Sequence, residues 1–180
     1  MERVYLKIWE LAKIYYQNGR QYDIAHIEWM MEKSNEIADM EKVDKKLLLP
    51  IVILHDVGYS AINHSNPNIK DRNYKMVHMK EGAIIANEIL DKIGYDKRLK
   101  NTIVHYISVH DNWILGDDSP YQKCREMAIF NDLDFLYTMS DHKSFVLMGQ
   151  SMNKTPEETY KWWLQDEKLE RRPFCCSAMV

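Results

Sequence analysis

Three cysteines, Cys124, Cys175 and Cys176, are too few for a disulfide framework in 180 residues. A reducing, cytoplasmic location is the corresponding expectation. Cys175 and Cys176 are vicinal, with no other Cys or His near them in sequence, and read as an incidental tail. No stretch approaches the roughly 20 apolar residues of a membrane span, and the start, Met1-Glu2-Arg3-Val4-Tyr5, has no signal-peptide apolar core. Strong charge of one sign is also lacking. The formal net charge of -3 argues against a nucleic-acid polymer or an anionic membrane as partner. There is no internal repeat, low-complexity tract or linker, and no convincing period-two alternation of β-branched residues.

Helical spacing fills the space those absences leave. Asp23, a candidate N-cap, precedes a stripe of Ile24, Ile27, Met30, Met31, Ser34, Ile37 and Ala38. Asp44 precedes a helix ending at His55-Asp56, in which Pro50 either bends the helix or marks a late start. Further helices are expected over about residues 74–93, closed by Gly94, and over about 97–111 and 121–139, with another opened by Pro156. Loops are expected at residues 61–68, 116–120 and 151–156. The expected fold class is all-α, a single domain large enough for a real core. Trp162 and Trp163 are adjacent and so face different sides of a helix; whether the chain forms a homo-oligomer is left open.

The chemistry gathers at His55-Asp56, where the apolar run of residues 47–54 ends in two metal-ligand side chains. Unpaired buried polar groups are costly, so a core segment ending in an imidazole and a carboxylate points to their use. Gly58 is expected to close the helix in a left-handed conformation. Of the seven histidines, His110 falls on the apolar face with Ile103 and Ile107, whereas His105 lies with Arg98, Asn101 and Thr102 and faces solvent. His26 borders the stripe of its helix. His78 lies one turn before Gly82, which makes room either for a ligand or for close helix packing. Asp132 and Asp134 project about 200 degrees apart on a helix, so at most one reaches a shared centre. The spacing of Met127, Phe130 and Tyr137 favours Asp134, leaving Asp132 as a second-shell acceptor orienting a histidine or as part of a solvated face. His and Asp ligands suit Fe, Mn, Co, Zn, Mg or Ni. Two ions roughly 3.5–4 Å apart would satisfy this many ligands, with Asp56 as the natural bridge and catalytic carboxylate. Among Lys70, Arg72, Lys75 and Lys80, Arg72 and Lys75 are candidate phosphate-binding residues.

The order His26, His55-Asp56, Asp134 resembles the HD-domain superfamily of metal-dependent phosphohydrolases, whose pattern is a His, a His-Asp pair and a distant Asp. Residues 49–59 are close to its central motif, and Asp132-Leu133-Asp134-Phe135-Leu136 resembles its closing motif. Residues 78–86 resemble the additional His motif of two-metal members, and Ile107-Ser108-Val109-His110 their next His. The resemblance covers about residues 20–140. It implies a single HD-like helical bundle over 1–180, with a C-terminal helical extension at about 155–172, around a mono- or dinuclear site. The implied metal ligands are His26, His55, Asp56, His78, His110 and Asp134, holding one or two divalent ions, and the implied substrate is a small phosphorylated molecule, with nucleotides among the candidates. Asp111-Asn112-Trp113-Ile114 does not reproduce the signature of members that hydrolyse cyclic dinucleotides, and the extra domains of the guanosine tetraphosphate regulators are absent. Arg171-Arg172-Pro173-Phe174 resembles the late segment of some members. The alternatives are a di-iron HD-type oxygenase and a non-catalytic metal-binding sensor or scaffold module.

Overall fold

The centre of the molecule is a helix with no polar face. Helix α3 (Lys45–Leu54) has every residue from Leu48 to Leu54 buried, as a helix that is apolar all round requires. Asp44 caps it, accepting from Lys46 N at 2.8 Å. Pro50 lies inside this helix and does not delay its start. The carbonyl it leaves without an intrahelical donor, that of Lys46, accepts from Tyr95 Oη at 2.7 Å.

The computed structural model describes residues 1–62, 72–140 and 142–175. The loop expected at 61–68 lies mostly outside these, as do His64, Lys70 and Cys176. Around α3 pack α1 (Arg3–Asn18), α2 (Asp23–Glu41), α5 (Lys97–Ile107) and α7 (Arg125–Ser140). Helix α4 (Arg72–Lys92) packs on α5 and on a short 3₁₀ turn, Val57–Ala61. A second 3₁₀ turn (Asn112–Leu115) and α6 (Ser119–Lys123) lead into α7. Then come α8 (His142–Ser151), α9 (Pro156–Leu164) and α10 (Glu167–Arg171). No strand occurs among the described residues, so the protein is an all-α domain. Among the described residues no helix is long and apolar enough to cross a membrane.

Several local expectations are corrected. Asp23 is the first residue of α2 and not its cap; its side chain bonds Arg20 instead of the helix backbone. The helix expected over 121–139 is two helices, interrupted at Cys124, whose backbone is extended (φ −138°, ψ 121°). Helix α5 stops at Ile107, and a turn carries His110. Gly94 closes α4 as expected: it is left-handed (φ 68°), and Tyr95 N donates to Leu90 O across the turn. Gly58 is not left-handed; Gly94 and Gly116 are the glycines with positive φ. Its reason is clearance. A Cβ there would meet His78 O at 2.0 Å and Gly82 N at 2.5 Å, so only glycine lets the turn after α3 lie against α4. At Gly82 a Cβ would lie 3.3 Å from His55 O, and Ile107 Cγ2 and Gly58 N follow at 3.4–3.5 Å. Close packing, and not a ligand cavity, therefore occupies the space beside His78.

Candidate metal centre

Two helix ends aim the central histidines by one device. The last carbonyls of a helix lack intrahelical donors. At the end of α3, Val52 O lies 2.9 Å from His55 Nδ1, and Ile53 O accepts from the buried Tyr16 hydroxyl at 2.9 Å. At the end of α5, Ile107 O lies 2.7 Å from His110 Nδ1, again three residues back. Each Nδ1–H therefore donates to a carbonyl, which leaves Nε2 of the neutral ring as a lone pair directed away from its own helix. The other two rings are held by stacking: His78 on Tyr59 (4.2 Å between centroids, 2° between planes) and His26 on Tyr137 (4.4 Å).

The six residues expected as ligands come together. His26, His55 and Asp134 form one group, and Asp56, His78 and His110 a second; in each, the donor atoms lie within 4.8 Å of one another. His26 Nε2 is 3.2 Å and His55 Nε2 3.9 Å from Asp134 Oδ1. Asp56 joins the groups: its Oδ2 is 3.5 Å from His55 Nε2, while its Oδ1 is 3.4 Å from His110 Nε2 and 3.6 Å from His78 Nε2. His78 Nε2 and His110 Nε2 are themselves only 3.0 Å apart.

The donor set fits divalent metal ions. Nε2 of His26 and of His55, the ring atoms that face the carboxylates, are buried without a well-formed hydrogen bond among the described residues, a costly condition for polar atoms. His78 Nε2 and His110 Nε2, converging at 3.0 Å beside the Asp56 carboxylate, are donor types that suit the same kind of ion. Asp134, with its side chain 30% exposed, is the most open of the six; the others are at most 10% exposed. Solvent therefore approaches from the Asp134 side.

The two groups differ in their electrostatics. Burial alone would lower His55, but Asp56, then Asp134 and the Val52 carbonyl, raise it to about 9 in the metal-free protein. Burial, reinforced by His110, lowers His78 to about 3. Asp56 is held well below the usual carboxylate range: burial would raise it, but His55 and His110 outweigh that.

Other expected positions fall elsewhere. Asp132 is buried but touches no histidine. It accepts from Lys168 Nζ and, at 2.8 Å, from Cys175 N. It is thus neither a histidine acceptor nor a solvated group; it ties the C-terminal segment to α7. Arg171 and Arg172 belong to the same attachment, both bonded to Asp118. Lys75 is not an unengaged phosphate ligand, since its ammonium is paired with Asp111 at 2.5 Å. Arg72 is exposed and lines a cleft of about 770 Å³ with Trp113, Trp162 and Arg172. His105 is exposed and His110 buried, as expected.

Two carboxylates at the centre were not expected as site residues. Asp111 Oδ2 lies 3.4 Å from His78 Nε2 and 3.8 Å from His110 Nε2, and its Oδ1 accepts from Trp113 Nε1 at 2.8 Å. The signal was present, since His110-Asp111 repeats the His55-Asp56 pair. Asp23, three residues before His26, forms a third group with His26 and Asp56. Burial, then the Asp56 carboxylate, push Asp23 up to about 6 against the pull of Arg20.

No curated protein and no solved structure matches the chain. The HD domain family model matches residues 23–143, a span that runs from Asp23 past Asp134 and so contains all six clustered ligands. With that match over more than half its length, the chain belongs to the HD-domain family.

Proposed function

We propose that the protein is a metal-dependent phosphohydrolase acting on a small phosphoester. The observation that carries this reading is Asp56, whose two oxygens face two separate ligand groups. His26, His55 and Asp134 would hold one divalent ion, His78 and His110 a second, and Asp56 would serve both. Bound there, the ions supply Lewis-acid neutralisation of phosphoryl oxygens and a water acidic enough to attack at neutral pH.

The chain's own residues prepare that chemistry. The Val52 and Ile107 carbonyls fix His55 and His110 as Nε2 ligands. Asp56, held ionised, contributes negative charge between the groups. Asp134 marks the side from which a phosphoryl group enters. Lys75 acts through Asp111, placing one positive charge behind the second group. Trp113 is bonded to Asp111 and also walls the cleft that Arg72 lines. That cleft has the size of an ordinary small-molecule site, and any part of the substrate that reaches it would meet Arg72 beside Arg171 and Arg172.

Four imidazoles among six donors also suit iron, which supports a second reading, the di-iron oxygenase. One experiment separates the two readings. Metal-free protein reloaded with Mn, Co, Mg, Fe, Zn or Ni is assayed on a panel of phosphorylated metabolites, with inorganic phosphate and dissolved O₂ followed together. Phosphate release without O₂ uptake supports the hydrolase. O₂ uptake restricted to the iron form favours the oxygenase, and metal binding with neither signal favours a non-catalytic sensor or scaffold.

A further inference from the structure

Asp23 belongs to neither of the two ligand groups, yet its carboxylate faces both. It opens α2, and His26 follows at i+3, so both project from one face of the helix. The Asp23 side chain is 2% exposed. Its Oδ1 accepts from the Arg20 guanidinium at 2.8 Å. Its Oδ2 is buried and has no hydrogen-bond partner among the described residues. Donor atoms of Asp23, His26 and Asp56 all lie within 4.8 Å of one another.

A buried carboxylate oxygen without a donor is expensive. A cation beside it removes the cost. Arg20 already serves the other oxygen and is itself held in place, with its guanidinium 4.0 Å from the Tyr59 ring centre and 4.8 Å from that of Tyr22. One oxygen anchored by a donor and the other bare, on a carboxylate within 4.8 Å of two ligand residues, is how proteins present a ligating carboxylate: the outer hydrogen bond fixes its orientation.

We infer that Asp23 is a further metal-ligating residue of this centre, donating Oδ2 to an ion it shares with His26 and Asp56, and that Arg20 is the positioning residue that holds it. The inference rests on the metal centre of the proposed function and not on the reaction assigned to it. With Asp23 the centre carries three ligating carboxylates, and α2 contributes two ligands from one turn. The competing account makes Asp23 a structural partner of Arg20 alone, tying the end of α1 to the start of α2.

Two variants of the full chain distinguish these accounts. Asp23→Asn keeps an oxygen for Arg20 and replaces Oδ2 with an amide nitrogen that has no lone pair to donate. Each metal-free protein is titrated with Co²⁺ alone, and both affinity and the visible d–d spectrum are recorded. The expected result is a 10- to 100-fold or greater loss of affinity for one Co²⁺ equivalent, with an altered spectrum. Arg20→Gln leaves the Asp23 carboxylate without its guanidinium. The variant is expected to keep wild-type Co²⁺ stoichiometry but to bind one equivalent about 10-fold or more weakly, because the hydrogen bond that orients the Asp23 carboxylate is gone. Wild-type affinity and spectrum in Asp23→Asn would overturn the inference. If that variant does not fold, Arg20→Gln decides, and wild-type Co²⁺ affinity for both equivalents in it overturns the inference. None of these readouts depends on phosphate release, so a failure of the hydrolase reading is separately visible.

Discussion

Replacing Gly58 with alanine tests how the chain brings His78 to the centre. A Cβ at position 58 would lie 2.0 Å from His78 O and 2.9 Å from Gly82 Cα. Close C···O contacts begin near about 3.3 Å, so the first is short by roughly 1.3 Å. Both partners are backbone atoms of α4, and neither can rotate away. The turn after α3 and helix α4 must separate, which moves His78 off Tyr59 and away from Asp56. Overpacking costs about 1–3 kcal/mol where side chains absorb it; with backbone on both sides, the cost is expected at about 3 kcal/mol or more. For a chain of this size that corresponds to a Tm loss of about 6–12 °C. Gly82→Ala is the control. Its Cβ meets atoms at 3.3–3.5 Å, and alanine in a helix interior recovers about 0.5–1 kcal/mol over glycine. That variant should therefore stay within about 1 kcal/mol of wild type. Thermal and urea melts of both variants, with metal analysis, check the reasoning. A Gly58→Ala protein that melts within about 2 °C of wild type and keeps its full metal complement would refute it.

Asp56→Ala should lose tight binding of metal and phosphatase activity together while circular dichroism remains largely helical; a variant with wild-type metal content and turnover would contradict the bridging role. His110→Ala should lower metal occupancy and activity 10- to 100-fold or more, whereas His105→Ala, at an exposed position, should be close to neutral; parallel kinetics with the reverse pattern would show that the helix face is misassigned. Metal uptake at pH 7 should release about one proton from His55, because its metal-free value of about 9 keeps it charged and a ligating imidazole must be neutral. His78, lowered to about 3, should release none. Calorimetric titration in buffers of different ionisation enthalpy measures this, and zero net proton release at pH 7 would rule it out. In the metal-free protein the same raised value adds stability that is complete below about pH 6.5 and is lost as pH rises through about 9.

The sequence made the ligands legible where local periodicity determined their direction. His110 shares a face with Ile103 and Ile107, and the turn that replaces the last part of the expected helix keeps it on that side. Asp134 was separable from Asp132 because two residues on a helix diverge by about 200 degrees. The partner of Asp132 was not legible. Lys168 is 36 residues away, and no local pattern announces a tail that returns to cover the second face of α7. Gly58 was recognised as necessary for the wrong reason, since a glycine required for φ and a glycine required for clearance look identical in sequence. The break at Cys124 carries no proline or glycine signal. Asp111 is half legible: His110-Asp111 repeats the His55-Asp56 pair, but it follows the apolar stripe of its helix and nothing local shows that it turns back to His78. Asp23 was read as a cap because aspartate at a helix start usually is one, and only the position of Arg20 shows otherwise.

The most direct test of the dinuclear centre is the number of metal ions bound per chain at saturation, measured by mass spectrometry of metals on wild type and on His78→Ala. The two ligand groups joined by Asp56 predict two equivalents in wild type, and about one in the variant, which retains His26, His55 and Asp134. A single equivalent in wild type, unchanged in His78→Ala, would contradict the account.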